Sequence, residues 1–598
     1  MTFRLPSSIV PAKFVTLLER TMSTARPARL LKVLYLLPLM LAACSGSPDD
    51  EEALASTDGI LRFIPANTPY VFAATEPLPE EAREKLAPYV EPIVQSYSAM
   101  LLAAMNRQPD DAAESHLDED TIKRVSSVIE QVAGMVTADG IPEAGIDRNS
   151  TGALYGIGLL PVLRITLSDG SLFESTMTKM ESEAGEKMSV ADLEGHSYRY
   201  AGNDEARVLV AVISDQLVLT VVPGNLPEAS LKEVLGFELP DRSIAESGDL
   251  AALSGKYGLR SYGLGMVDVQ RIASTFLDDQ TGVNSELLAL GDYDSSGLDD
   301  VCKAEIRSLA GIAPRIVSGY TDVTAQHIKS NTVIELRSDI AAGMQTLTAP
   351  VPGLGSAHDG LMSFGMSLNM LAAREFYAAR LDAMEKDPYE CELFSDLQSG
   401  VAKGRELLNQ PIPPIVYGFR GFLAVIEDIK GMDIAKQQPP TDVDMRILVA
   451  TDNAPGLLAM GAMFSPQIAS MNLKPDSKPV KLELPPVAAM VEAAYVAMSE
   501  SALALSFGNG SEAQLETMLA AAPTEPSPFM SLDMDAGRYY GFIGDAMTLT
   551  DDAGQPPELV KAQGEVMQTF ARIFSRIYFN VQFTERGVEM PSTVHLAD

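Results

Sequence analysis

Repetition limits the fold of this chain more than any other feature. Five segments of the first half return in the same order in the second. Residues 153–158 (ALYGIG) match 416–421 (VYGFRG), and 163–169 (LRITLSD) match 445–452 (MRILVATD) with one residue inserted. Residues 210–220 (VAVISDQLVLT) match 496–506 (VAMSESALALS) without a gap, and 267–271 (VDVQR) match 534–538 (MDAGR). The runs 315–337 and 576–597 close the two halves. Each match alone is weak, but a fixed order of five is the signature of a repeated structural unit. We read one copy over 58–345 and a second over 359–598, with 346–358 as a linker containing the Pro/Gly stretch PVPGLG.

Local patterns assign the same elements to both copies. Apolar runs at 208–213 and 217–222 flank Ser214-Asp215-Gln216 and predict a hairpin, and 495–498 with 502–507 predict its counterpart. Helices are predicted at 171–183 and 455–463, and again after the hairpins at 227–234 and 512–520. Longer helices are predicted at 79–104, 121–136, 298–310, 371–384 and 391–408. Ile577, Phe579, Val581 and Phe583 alternate onto one face of the last hairpin. Helices mixed irregularly with antiparallel hairpins point to an α+β fold. The expectation is a tandem duplication of one α+β domain, arranged with pseudo-twofold symmetry about a groove where the copies meet.

Ahead of the repeats, residues 22–46 read MSTARPARLLKVLYLLPLMLAACSG. Arg26, Arg29 and Lys32 precede an apolar run at 33–43, which is shorter than the ~20 residues a membrane span needs. Leu41-Ala42-Ala43-Cys44 resembles the lipobox of bacterial lipoproteins. The resemblance implies that 1–43 is a signal peptide, with Met22 as an alternative start. It implies that the Cys44 thiol takes diacylglycerol, and that cleavage before Cys44 exposes an amine that is then acylated, as with palmitate. Ser45, where an Asp would retain the protein at the inner membrane, implies delivery to the periplasmic leaflet of the outer membrane. Residues 44–57 (CSGSPDDEEALAST) read as a flexible acidic tether.

Residues 1–43 carry six positive side chains and one negative, so the formal charge of −36 leaves −41 on the rest. A body this acidic repels phosphate backbones, which argues against nucleic acid as a partner and leaves the membrane, through lipid on Cys44, as the implied one. Beyond Cys44 the chain has two cysteines, Cys302 and Cys391. In an oxidising compartment a Cys302–Cys391 disulfide is expected, clamping copy one to the early helices of copy two, with two buried thiols as the alternative.

Motifs for chemistry are sparse. His116, His196, His327, His358 and His595 form no HExxH or HxH, and no G-x-S-x-G or phosphate loop occurs. Residues 355–360 (GSAHDG) place Ser, His and Asp side by side, but triads assemble from separate loops. Asp292, Asp294 and Ser296 open a sequence like a calcium loop, yet Lys303 stands where the bidentate Glu belongs, and an acidic turn explains the residues equally well. Two arginines recur in both copies near aspartates: Arg164 with Asp169 and Arg446 with Asp452, then Arg271 with Asp268 and Arg538 with Asp535. Ion pairs that fix strand ends are the preferred reading. Many of the 28 methionines fall in copy two, suiting an adaptable apolar interior. No cofactor and no catalytic activity are inferred. The functional expectation is a lipid-anchored envelope protein with a periplasm-facing binding or scaffolding body. The alternatives are a carrier of an apolar ligand such as lipid in the groove between the copies, and a hydrolase whose site is assembled from distant residues.

Overall fold

The computed structural model describes Leu54 and residues 59–598, except 106–139, 148, 186, 204–205, 279–281, 291–292, 294–296, 432–440, 465–470, 472, 483–492, 509–510 and 550–556. The chain forms two compact units. Unit 1 comprises Met1–Glu335 and Tyr389–Leu397; unit 2 comprises Leu336–Pro388 and Gln398–Asp598. Both are α+β, and every strand pairing is antiparallel. Among the described residues no helix is long and apolar enough to cross a membrane.

In unit 1 the strands are β1 Tyr70–Ala74, β2 Gly152–Ile157, β3 Leu160–Thr166, β4 Ser189–Leu193, β5 His196–Gly202, β6 Ala206–Ile213, β7 Gln216–Pro223, β8 Leu264–Asp268, β9 Arg315–Val323 and β10 His327–Glu335. Their order across the sheet is β4-β5-β6-β7-β3-β2-β1-β8-β9-β10. Among its helices are α1 Glu80–Met105, α2 Gly170–Ala184, α3 Glu228–Leu235, α4 Val269–Leu277 and α5 Asp300–Ala310, of which α2, α4 and α5 begin at aspartate caps. Asp169 takes the Leu172 amide of α2, and Asp268 takes the Arg271 amide of α4. The core face of the sheet packs beneath Ile60, Leu61, Phe63 and the Val234-Leu235 end of α3.

Unit 2 opens with α6 Ser338–Gln345, then β11 Met362–Ser367, α7 Met370–Lys386, α8 Ser395–Asn409, β12 Phe419–Lys430 and β13 Asp442–Thr451. It continues with α9 Ala454–Phe464, β14 Val480–Lys481, β15 Ala494–Met498, β16 Ala502–Phe507 and α10 Glu512–Ala520. It closes with β17 Met530–Asp535, α11 Ala536–Leu549, α12 Pro557–Ile573, β18 Phe574–Thr584 and β19 Gly587–Leu596. The strand order is β14-β15-β16-β13-β12-β11-β17-β18-β19. Leu515, Met518 and Leu519 of α10, with Val351 and Leu354, cover Leu423, Val425, Leu448 and Ala504 on its core face. α6, assigned by sequence to the first copy, belongs to unit 2: it packs on β18 and β19, and the Leu336 amide donates to the Arg586 carbonyl.

Within each unit the strands follow one common order, unit 1 having, among the described residues, an additional strand in β4. Asp268 and Asp535 each end a strand, each accept the amide three residues on, and each lie opposite an arginine, Arg315 or Arg576. Following the ladders outward from these two residues places Val218 and Ala211 where Ala504 and Ala497 stand, the same correspondence that the sequence match of 210–220 with 496–506 makes. Two other matches slip. Arg164 occupies the ladder position of Leu448 rather than Arg446, and Ala153 that of Leu423.

Cys302, in the first turn of α5, is bonded to Cys391 with a Cα–Cα distance of 4.8 Å. The bond spans a sequence separation of 89, worth ~4–5 kcal/mol in the chain-entropy model. The bond expected from sequence is present: Cys391 precedes the 3₁₀ turn Glu392–Phe394 that leads into α8, on a Tyr389–Leu397 segment that groups with unit 1.

Candidate functional site

Side chains directly opposite each other in neighbouring strands share a face. One such row crosses all of unit 2 on its core face: Lys481, Tyr495, Ser506, Arg446, Val425, Ser363, Asp533, Tyr578 and Thr593. Only Val425 is aliphatic. The corresponding row of unit 1 runs Tyr200, Leu209, Thr220, Val162, Tyr155, Val71, Met266, Val317 and Val333, and from Leu209 onward it is fully buried.

The polar row of unit 2 lies under the 353–360 loop. Asp533, 1% exposed, receives Arg576 Nε at 2.6 Å and a terminal nitrogen at 3.0 Å, and also accepts the His358 amide at 2.7 Å. Arg576 donates onward to the Gly360 carbonyl, and the Tyr578 hydroxyl donates to the Gly355 carbonyl. Arg446 pairs with Glu427. Gly360 admits this closure, since a Cβ there would lie 2.7 Å from the Ile426 carbonyl oxygen. Burial, more than the nearby arginines, holds His358 below the ordinary histidine pKa, and burial holds Arg446 below the usual arginine value. Among the described residues, Ser506 Oγ, Arg446 Nε, His358 Nε2 and Asn580 Oδ1 are buried without a hydrogen-bond partner.

The opposite face of the same sheet is apolar. Three rows cross β13, β12, β11, β17 and β18. They are Met445, Ile426, Met362, Met534 and Ile577; Ile447, Ala424, Phe364, Leu532 and Phe579; and Val449, Phe422, Met366, Met530 and Val581. All but Met534 keep solvent exposure, and Phe364 is 37% exposed. At strand spacing the grid measures roughly 20 Å by 14 Å. Its β16 flank is covered where Leu503 and Leu505 meet Leu458 of α9 and Leu473. In unit 1, Phe72 occupies the position of Phe364 and is 36% exposed, but Gly156, Gly265 and Ser318 interrupt its rows.

The recurring arginines divide. Arg271 pairs with Asp268 at 3.5 Å and with Asp249 at 2.7 Å. The other three expected ion pairs are corrected. Arg164 is fully buried and is held by Gln216 Oε1 and the Leu235 carbonyl, with its guanidinium 3.9 Å from the Phe63 ring centre, while Asp169 caps α2. Strand alternation sends Arg164 into the core face, and Asp169 lies past the strand end. Arg446 takes Glu427, leaving Asp452 to Arg420. Arg538 reaches Asp428, and Asp535 accepts only its amide.

Of the histidines, His196 stacks on Phe237, His327 bonds Asp322 at 2.7 Å across a hairpin end, and His595 is exposed. His116, the 121–136 helix, the calcium candidates Asp292, Asp294 and Ser296, and the lipobox with Cys44 lie outside the described residues. Among the described residues no group of three His, Cys, Asp or Glu is placed to hold a metal. Asp533, Arg576 and Ser363 were not singled out from sequence, and of the apolar grid the pattern marked the Ile577, Phe579 and Val581 column without joining it to its neighbours. The signal was present in 362–367 (MSFGMS) and 530–535 (MSLDMD), adjacent strands that alternate large apolar with small or polar residues in step. No family model matches this chain, nor does any curated protein or solved structure.

Proposed function

We propose that this chain is a lipid-anchored envelope protein, tethered through Cys44, whose body binds an acyl-chain ligand on the open face of the unit 2 sheet. The observation that carries the reading is the apolar grid around Phe364, Leu532 and Phe579. A patch with no hydrogen-bonding side chain over this area rewards a ligand that carries none. Methionine and phenylalanine side chains conform to a flexible chain of methylenes, each contributing ~0.8 kcal/mol when buried. The ligand site lies within one unit and needs no groove between copies. The shared strand order supports descent of both units from one ancestral domain, with the grid elaborated in the second.

The test is organic extraction of protein purified from envelopes, followed by mass spectrometry, with titration of a fluorescent polyene fatty acid alongside. Acyl lipids should co-purify, and a Phe364→Asp, Leu532→Asp variant with unchanged circular dichroism should lose both the lipid and the probe. A clean extract with no probe binding by the parent protein overturns the ligand assignment. Cys44→Ser should abolish membrane fractionation; retention on the membrane overturns the anchor.

A further inference from the structure

The second unit's chain makes one excursion. Between α7 and α8, both of which lie largely in unit 2, Tyr389–Leu397 belongs to unit 1. This strap contains one 3₁₀ turn, Glu392–Phe394, and Cys391 is its only buried residue. Glu390, Glu392, Leu393, Ser395 and Asp396 are exposed. Two attachments meet at its start. Cys391 Sγ is bonded to Cys302, and the Glu305 carboxylate, one turn along α5, accepts the amides of Glu390 at 2.8 Å and Cys391 at 3.1 Å. Asp299 caps the same helix through the Cys302 amide at 2.8 Å, fixing the thiol-bearing turn.

Tyr389, Phe394 and Leu397 are half-buried, with the Tyr389 and Phe394 rings 5.4 Å apart, while the Glu390 amide bond to Glu305 lies exposed, where hydrogen bonds open locally at low cost. The disulfide is the covalent hold of the strap on α5. We propose that the Cys302–Cys391 disulfide is a redox latch: its reduction releases 389–397 from α5 while both sheets remain folded. A dithiol reductant attacks one sulfur, its second thiol resolves the mixed disulfide, and it leaves oxidised. Cys302 and Cys391 each end as a thiol, with two electrons and two protons transferred. The chain passes between units at 335/336, 388/389 and 397/398. Released, the strap would no longer be held against α5.

Hydrogen exchange on the full chain from Cys44, oxidised and after dithiothreitol, tests this. The Glu390 and Cys391 amides should exchange at least tenfold faster on reduction, with amides of β1 and β11 unchanged, and Cys302→Ser, Cys391→Ser should reproduce the reduced pattern under oxidising conditions. Glu305→Gln, with the bond intact, should raise exchange at those two amides by less than reduction does. Unchanged strap exchange on reduction overturns the latch, as does a rise spread over the unit 1 sheet, which would make the bond a support of the whole unit.

Discussion

The same ladder row carries opposite chemistry in the two units. Across unit 1 it runs Leu209, Val162, Tyr155, Val71, Met266 and Val317, closed and dry. Across unit 2 the same positions hold Tyr495, Arg446, Val425, Ser363, Asp533 and Tyr578. On the reverse face the contrast inverts: unit 2 presents fifteen apolar side chains in register, where unit 1 is broken by Gly156, Gly265 and Ser318. A sheet needs one buried apolar face to be stable, and unit 1 has the ordinary distribution. Unit 2 keeps Leu423 and Leu448 for that purpose and gives the adjacent row to a charged network. Backbone topology therefore tolerates either content, and the unusual distribution marks the unit in which selection for something other than stability is to be sought.

The contrast can be broken by exchange. Met266→Asp places an unpaired carboxylate in the closed row of unit 1 and should unfold that unit, a loss of more than ~4 kcal/mol in urea titration followed by hydrogen exchange of β1 and β8. If unit 1 tolerates the aspartate, its row is less dry than its burial says. Asp533→Ala strands Arg576 and should cost unit 2 about 3–5 kcal/mol, while Asp533→Met with Arg576→Met should recover most of it, since replacing both partners removes the desolvation penalty. Failure of the double variant to recover would make the ion pair a requirement of the unit 2 fold. Ser506→Ala removes a buried hydroxyl without a partner and should be neutral or stabilising by about 1 kcal/mol in the same titration. A clear loss would reveal a partner for that oxygen.

The smallest effect is in pH. Burial holds His358 below the ordinary value in the folded state, while in the unfolded chain it titrates near ~6.5. Between those two values the unfolded chain binds more protons, so stability is fully present above about 6.5 and declines as pH falls through the interval. His358→Gln should flatten that part of the stability profile for unit 2, measured by thermal melts from pH 7.5 to 5. An unchanged slope would assign it to other groups.

Much of this architecture was legible along the chain. Hairpins at 206–223 and 494–507 follow from β-branched runs around short polar turns, and α10 begins and ends where its pattern predicts. The order of the matches anticipated the equal strand order. Matching strings slipped by two residues at Arg164 because a similar tripeptide outweighed ladder register, which neither a loop insertion nor a bulge near Ile426 announces in sequence. The arginine pairs were misassigned for a related reason: a nearby aspartate in sequence is on the same face only when strand alternation agrees, and Asp169 had a helix amide to satisfy instead.

Sequence alone determined the element types, the resemblance of 41–44 to a lipobox and the availability of two cysteines for each other, because these depend on local pattern, on a short linear motif and on residue number. Tertiary structure decided which residues share a row, that Cys391 lies in unit 1, and that Asp533, Arg576 and His358 meet beneath one loop. Those facts depend on strand register and on contacts between residues as far as 223 positions apart, and chain entropy leaves such pairings undetermined until the whole sheet closes.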